Sequence, residues 1–301
     1  MNVEEINKRI KAIEDLQKNF NVRVKVAESN LYTRLLSDFE SLRKKLFPTF
    51  KKLWNSFIEA DYIPLIESFV VDMDKIVDLN QVYFGSDVPK TALFDRLGIS
   101  AEGIIAKDGY VSTIIQDQTA KREVQLFLNR TKALKTDQKV KEDLSKLIKG
   151  EKPITSNSGN ADKQVVTSKP GVIQKFTDQN VNDSYNEADR IIQQDYADKN
   201  GMTAMMYTGG VIGGSRPFCI ERNRKVFLMS EIALFGTSED KFGGYTNKAE
   251  GLFAGKPKTG YDPFTQLGGH NCRHHLSALA DEYAIRVDKK LIIENDKLKR
   301  I

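Results

Sequence analysis

At 301 residues, with 40% hydrophobic and 29% charged side chains, the chain is long enough for two cores and carries a large wetted surface. Its 46 basic and 41 acidic residues leave a net charge of +5, a mild basicity that permits contact with nucleic acid without indicating it. Two cysteines exclude a disulfide scaffold. The absence of any apolar run of about eighteen residues argues against a membrane span, and the charged opening Met-Asn-Val-Glu-Glu against a secretory signal.

Ile6, Ile10, Ile13, Leu16 and Phe20 recur at steps of three and four, which predicts an amphipathic helix over residues 1–20. Val22, Val24 and Val26 then alternate with Arg23 and Lys25, a strand-like pattern that marks a break. Helical spacing resumes with Leu31, Leu35, Phe39, Leu42 and Leu46 before Pro48, and again from about 49 to 84, where Pro64 is expected to kink the helix. Ser112–Leu134 and Thr136–Ile148 read as two more helices, the second closed by Gly150. Lys152–Pro170 is dense in Ser, Thr, Asn, Gly and Pro and reads as a linker.

A polar helix is expected over about 172–199, with Val181, Tyr185, Ala188, Ile191, Ile192 and Tyr196 on one face and Gly201 as its stop. Thirteen of the 20 glycines then fall between 201 and 269, so turns and short elements replace long helices. Thr203–Val211 predicts a strand, Cys219–Asn223 and Met229–Phe235 short helices, Lys241–Gly269 irregular chain, and Asp288–Ile301 a charged helix. The expected fold is mainly α with a small α+β C-terminal module. Its parts are a helical N-terminal region over 1–150 for partner contact, a linker over 151–171, and a helix plus module over 172–301.

All three histidines and both cysteines lie between 219 and 275, so any special chemistry belongs to that module. Cys219, His270, Cys272 and His274 have the thiolate and imidazole types of a tetrahedral zinc site. Their spacing is not the Cys-x2–4-Cys of zinc fingers; alternation on a strand would instead bring His270, Cys272 and His274 to one face. The plainer alternative is a packed Cys272 with histidines bonded to backbone. An enzyme reading, a cysteine nucleophile or a metal-dependent nuclease, lacks its companions: no nucleophile elbow, Walker loop or nucleotide fingerprint occurs. Arg216 and Arg273 are expected to clamp a carboxylate, with Asp262 and Glu221 as partners, and so pin two loops together.

The blocks Ser215-Arg216-Pro217-Phe218-Cys219, Lys225-Val226-Phe227, Tyr261-Asp262-Pro263 and Gly268-Gly269-His270-Asn271-Cys272-Arg273-His274-His275 resemble the C-terminal region of phage minor head proteins, the Mu F-like head morphogenesis family. The resemblance covers about 200–285, and Leu93-Phe94-Asp95-Arg96-Leu97-Gly98-Ile99 is similar to a stretch of the same proteins. The family often carries Cys-x-x-Cys where this chain has Cys219 and Arg222, and glycine where it has Arg224. The first departure leaves His270 or His274 to complete any zinc set.

The resemblance implies a structural virion component, present in the phage head and in the host cytoplasm during assembly. Its implied partners are the portal protein, the major capsid or other head proteins and packaged DNA, with no membrane. It implies a role in head morphogenesis and in genome packaging or ejection; no cofactor is expected, save a structural zinc that the residue types of the Cys and His cluster would admit. It also implies a structural motif built on Arg216, Cys219, Asp262, Asn271, Cys272, Arg273 and His274.

Overall fold

Phe20, Val24, Ala27, Leu31 and Leu35 are all buried, whereas Val22 and Val26 are more than half exposed. That stripe recurs at three and four, so the valines expected to break the first helix instead lie on two faces of it, and α1 runs unbroken over Val3–Ser37. A computed structural model describes residues 3–38, 63–87, 90–97, 150–157, 164–169, 172–295 and 297–301, with isolated positions between 48 and 61 and between 138 and 146. The helix expected over 112–134 lies outside the described residues, as does most of that over 136–148. Gly150 adopts φ 80° and donates to the Ser145 carbonyl, a glycine's place after a helix.

The chain is mainly α with a small α+β C-terminal module. Helix α2 spans Ile63–Phe84 and α3 Thr91–Leu97. Pro64 sits in the first turn of α2, where a missing N–H costs nothing, and so starts the helix where a kink was expected. Strands β1 (Glu151–Asn157) and β2 (Gln164–Lys169) pair antiparallel, with Ile154 opposite Thr167 and Thr155 opposite Val166. The segment expected as a linker thus contains an antiparallel ladder whose sequence is rich in β-branched residues.

Helix α4 spans Val172–Lys199. It ends in a Schellman motif: Met202 N–H reaches the Ala197 carbonyl, Gly201 N–H the Asp198 carbonyl, and Gly201 takes φ 64°. After it come β3 (Ala204–Gly209), α5 (Pro217–Arg222), β4 (Lys225–Leu228), α6 (Met229–Ile232), β5 (His274–Leu279), α7 (Asp281–Val287), β6 (Leu291–Glu294) and β7 (Lys297–Arg300). The sheet order is β4-β3-β5, antiparallel throughout, and β6 and β7 form a separate antiparallel pair among the described residues.

Alternation on the central strand separates two cores. Met205 and Tyr207 pack with Phe218, Phe227, Phe235, Leu276 and Ala278; Ala204 and Met206 pack with Ile6, Ile10, Val226, Leu279 and Leu298. The C-terminal segment expected as a helix is the β6–β7 hairpin. Leu291, Ile292 and Ile293 favour extended chain, Asn295 turns it at φ 52°, and Arg300 fixes it by bonding Glu231, Asp288 and the Val226 carbonyl. No helix of the described residues is long and apolar enough to cross a membrane.

Two compact units divide the chain, and neither is contiguous. One gathers Met1–Lys18, Val70–Ile104 and Gln179–Ile301; the other gathers Asn19–Phe69 and Ile105–Asp178. The region expected as an N-terminal domain over 1–150 therefore contributes to both. The first unit contains the whole Cys and His cluster.

Candidate functional site

One helix, one loop and one strand build the cluster, with Cys219 on α5, Cys272 on the loop before β5 and His274 on β5, and glycine makes their approach feasible. A Cβ on Gly268 would lie 2.3 Å from Cys219 Sγ and 3.0 Å from Cys272 Sγ, so only a residue without a side chain fits between them. Gly269, at φ 79°, approaches the Gly255 backbone more closely still. Arg216, at the N-cap of α5, donates to the Gly268 carbonyl at 2.8 Å and the His270 carbonyl at 2.5 Å. It pins two loops as expected, but through backbone carbonyls in place of carboxylates. Asp262 caps its own turn, accepting from Phe264 N–H and Thr265 Oγ1 at 2.9 Å each, and Glu221 is exposed.

Cys219 Sγ lies 3.9 Å from Cys272 Sγ, and Cys272 Sγ lies 3.9 Å from His274 Nδ1. The three donor atoms fall within 4.8 Å of one another, and all three residues are buried. His270 does not join them. Its side chain is exposed, and its backbone N–H is held by the Gly255 carbonyl. The expected alternation fails because Gly269 and Asn271 both take positive φ, 79° and 58°, and the strand begins only at His274. Arg273 is exposed; among the described residues its guanidinium pairs with no carboxylate. With Arg216, Asn271, Cys219, Cys272 and His274, Arg273 lines a cavity of about 130 Å³.

The electrostatics of the pair are unequal. The hydrogen bond from Cys219 holds Cys272 well below the ordinary thiol range, against burial and with help from His274 and Arg190. That same hydrogen bond, together with burial, pushes Cys219 up. Tyr207 is fully buried with its hydroxyl 4.0 Å from Cys272 Sγ, and burial raises its phenol.

The residues that sequence reasoning missed lie on α4. Arg190 is 2% exposed and donates to four acceptor contacts on the motif loop: Thr265 O at 2.5 Å, Cys272 O at 2.7 Å, and His274 O through both Nε (2.9 Å) and Nη2 (2.5 Å). Asn186 adds a bond to the Cys272 carbonyl, and Asp183 accepts the Asn271 N–H. Burial, and after it Glu187, pushes the Asp183 carboxyl up to about 7. Periodicity singles out only the apolar face of this helix and assigns its polar side chains no role. They form a cradle for backbone that has left regular structure, which obeys the rule that buried carbonyls find donors.

Strand alternation sends His274 toward the thiols and His275 to the opposite face. There His275 Nδ1 lies 2.8 Å from Asp189 Oδ2, both residues being 0% exposed. Arg9 reaches Asp189 at 3.4 Å and Ser277 at 2.8 Å, and Asn80 joins Asp189 to Gln193. Although burial opposes it, Arg9 and His275 hold the Asp189 carboxyl below its ordinary range. Burial lowers His275, which favours a neutral ring. Arg222, where the resembled family often has a second Cys, takes no part in the trio. It is fully buried against Phe218 and paired with Asp240 at 2.5 Å.

No family model matches the chain, and neither curated proteins nor solved structures show a significant similarity to it.

Proposed function

We propose that the chain is a minor head protein of a tailed phage, a structural component that acts in head morphogenesis beside the portal or inner capsid and assists genome packaging or ejection. The observation that carries this reading is the convergence of four sequence blocks of the resembled family on one interlocked module. Arg216 of the first bonds Gly268 and His270 of the last; Phe218 and Phe227 share a core; Tyr261 of the third donates to the Leu267 carbonyl at 2.6 Å. Arg224 supports it too. It stands at φ 62°, a left-handed position suited to the glycine of that family. The buried Asp189–His275 pair faces Arg9 in a closed interior, which suits an architectural role better than turnover.

Quantitative mass spectrometry of purified particles, before and after triggered DNA release, tests the proposal. The expected result is a fixed low copy number near that of the portal; loss on release makes the chain ejected cargo. Absence from the particle overturns it. A second reading, a metal-dependent nuclease, is favoured by the cavity that Arg216 and Arg273 share with the Cys and His trio. DNA cleavage by the purified protein that Cys272→Ser abolishes would establish it.

A further inference from the structure

Among the described residues, the buried trio of Cys219, Cys272 and His274 is a donor cluster that assembly alone leaves unexplained. We infer that these three side chains form a zinc-type metal site whose fourth position opens onto the cavity lined by Arg216, Asn271 and Arg273. The inference rests on geometry alone and stands or falls independently of the head-protein proposal.

Distance is the first argument. Ligands placed tetrahedrally around zinc, with Zn–S about 2.3 Å and Zn–N about 2.0–2.1 Å, sit about 3.6–3.8 Å from each other. The separations of 3.9 Å between the sulfurs and 3.9 Å from sulfur to imidazole are close to that edge length. They are also long for sulfur hydrogen bonds, so the same spacing suits either those contacts or an ion between the three donors.

Unmet polarity is the second. His274 is 3% exposed, and among the described residues its Nδ1 meets a sulfur at 3.9 Å while its Nε2 has no hydrogen-bond partner. A buried imidazole left this way is unfavourable, and a metal–nitrogen bond would satisfy one of its two ring nitrogens. The surrounding chain, meanwhile, is built to hold the trio in place. Gly268 clears room for both sulfurs, Arg216 fixes the loop that carries that glycine, and Arg190 grips the carbonyls of Cys272 and His274.

The third is the cavity. Three protein ligands with an accessible fourth place are the arrangement in which zinc keeps an exchangeable water or anion. Asn271 and the guanidinium groups of Arg216 and Arg273 border that place, so a small anion is the ligand class it would accept. His270, exposed and turned away, supplies the natural control.

The full-length chain, reduced and stripped of metal, is to be titrated with Co2+ and then Zn2+. Expected are one Co2+ per chain with thiolate charge-transfer absorption in the near ultraviolet, its displacement by Zn2+, and protection of both thiols from alkylation. Cys219→Ser, Cys272→Ser and His274→Ala should each weaken or erase the cobalt spectrum, whereas His270→Ala should leave it intact. Should a cysteine variant fail to fold, thiol protection in the unaltered chain still decides. A folded chain with no cobalt band and thiols that alkylate equally fast with and without Zn2+ overturns the inference. So does a mass lower by two hydrogens in the freshly purified, unreduced chain, which would mean that Cys219 and Cys272 are oxidised to each other.

Discussion

Arg190 shows how one side chain sets the shape of a loop with no regular structure of its own. Its guanidinium is a rigid fork of five donors, and the carbonyls of Thr265, Cys272 and His274 are arranged around it. Arg190→Met is expected to leave those buried acceptors unsatisfied and to cost roughly 3–5 kcal/mol in urea unfolding. Arg190→Lys keeps the charge but loses the fork, and should fall between the two proteins. A wild-type midpoint for the Met variant would refute this account. The contrast with the cysteines is instructive. Cys219, Cys272 and His274 were legible from residue type and crowding, because so few residues combine soft donors with low abundance. Arg190 was not, since an arginine on a polar helix looks solvated until the loop that needs its donors is placed against it. His270 misled for a backbone reason: two left-handed residues, Gly269 and Asn271, break the alternation that the spacing suggested.

At the scale of elements, periodicity located α1, α2 and α4 and failed where a short alternation lies within a longer helical stripe or where a charged hairpin imitates a helix. Val24 is buried between exposed Val22 and Val26, a combination that alternation and a helix face both predict. Only the longer stripe from Phe20 to Leu35 distinguishes them. The β6–β7 hairpin was hidden by charge: Lys297, Lys299 and Glu294 resemble a solvated helix, and the anchor of the hairpin, Arg300, acts through tertiary contacts. Helix α1 also carries a pH-sensitive group. Glu28 is 6% exposed, and burial first, then the nearby Asp178, raises its carboxyl from an ordinary 4.5 to about 8. A folded-state value above the unfolded one means that the native chain holds this proton more tightly. The associated stability is therefore fully present below pH about 4.5 and is lost as pH rises to about 8. Glu28→Gln should flatten that slope and stabilise the protein by on the order of 2–4 kcal/mol at pH above 8, with little change under acid conditions. Melting curves of both proteins across this range check it; parallel pH profiles would show that Glu28 ionises freely.

At the scale of the molecule, the C-terminal module is completed by the other end of the chain. Ile6 and Ile10 belong to the same core as Met206, Val226, Leu279 and Leu298, and Arg9 supplies a cation to the buried Asp189. Composition could mark Lys152–Pro170 as a boundary, but it could not show that residues 1–18 and 179–301 fold into one unit, because contacts that distant in sequence leave no local pattern. The consequence is a test of which boundary is physical. Burying two isoleucine side chains contributes about 3–6 kcal/mol, and an uncompensated buried carboxylate opposes folding further, against a total stability of about 5–15 kcal/mol for a typical domain. A fragment over 172–301 should therefore lack a cooperative melt. The gentler double variant Ile6→Ala/Ile10→Ala should fold, but with the β5 amides, Ala278 among them, exchanging hydrogen faster. Gln193 binds that amide at 2.8 Å and is itself held by Asn80 of α2, so loosening the N-terminal turns reaches β5 through the shared core and the Asp189 network. A fragment that melts cooperatively at the temperature of the 301-residue chain would instead make the module autonomous and the segments 1–18 and 70–104 accessories to it.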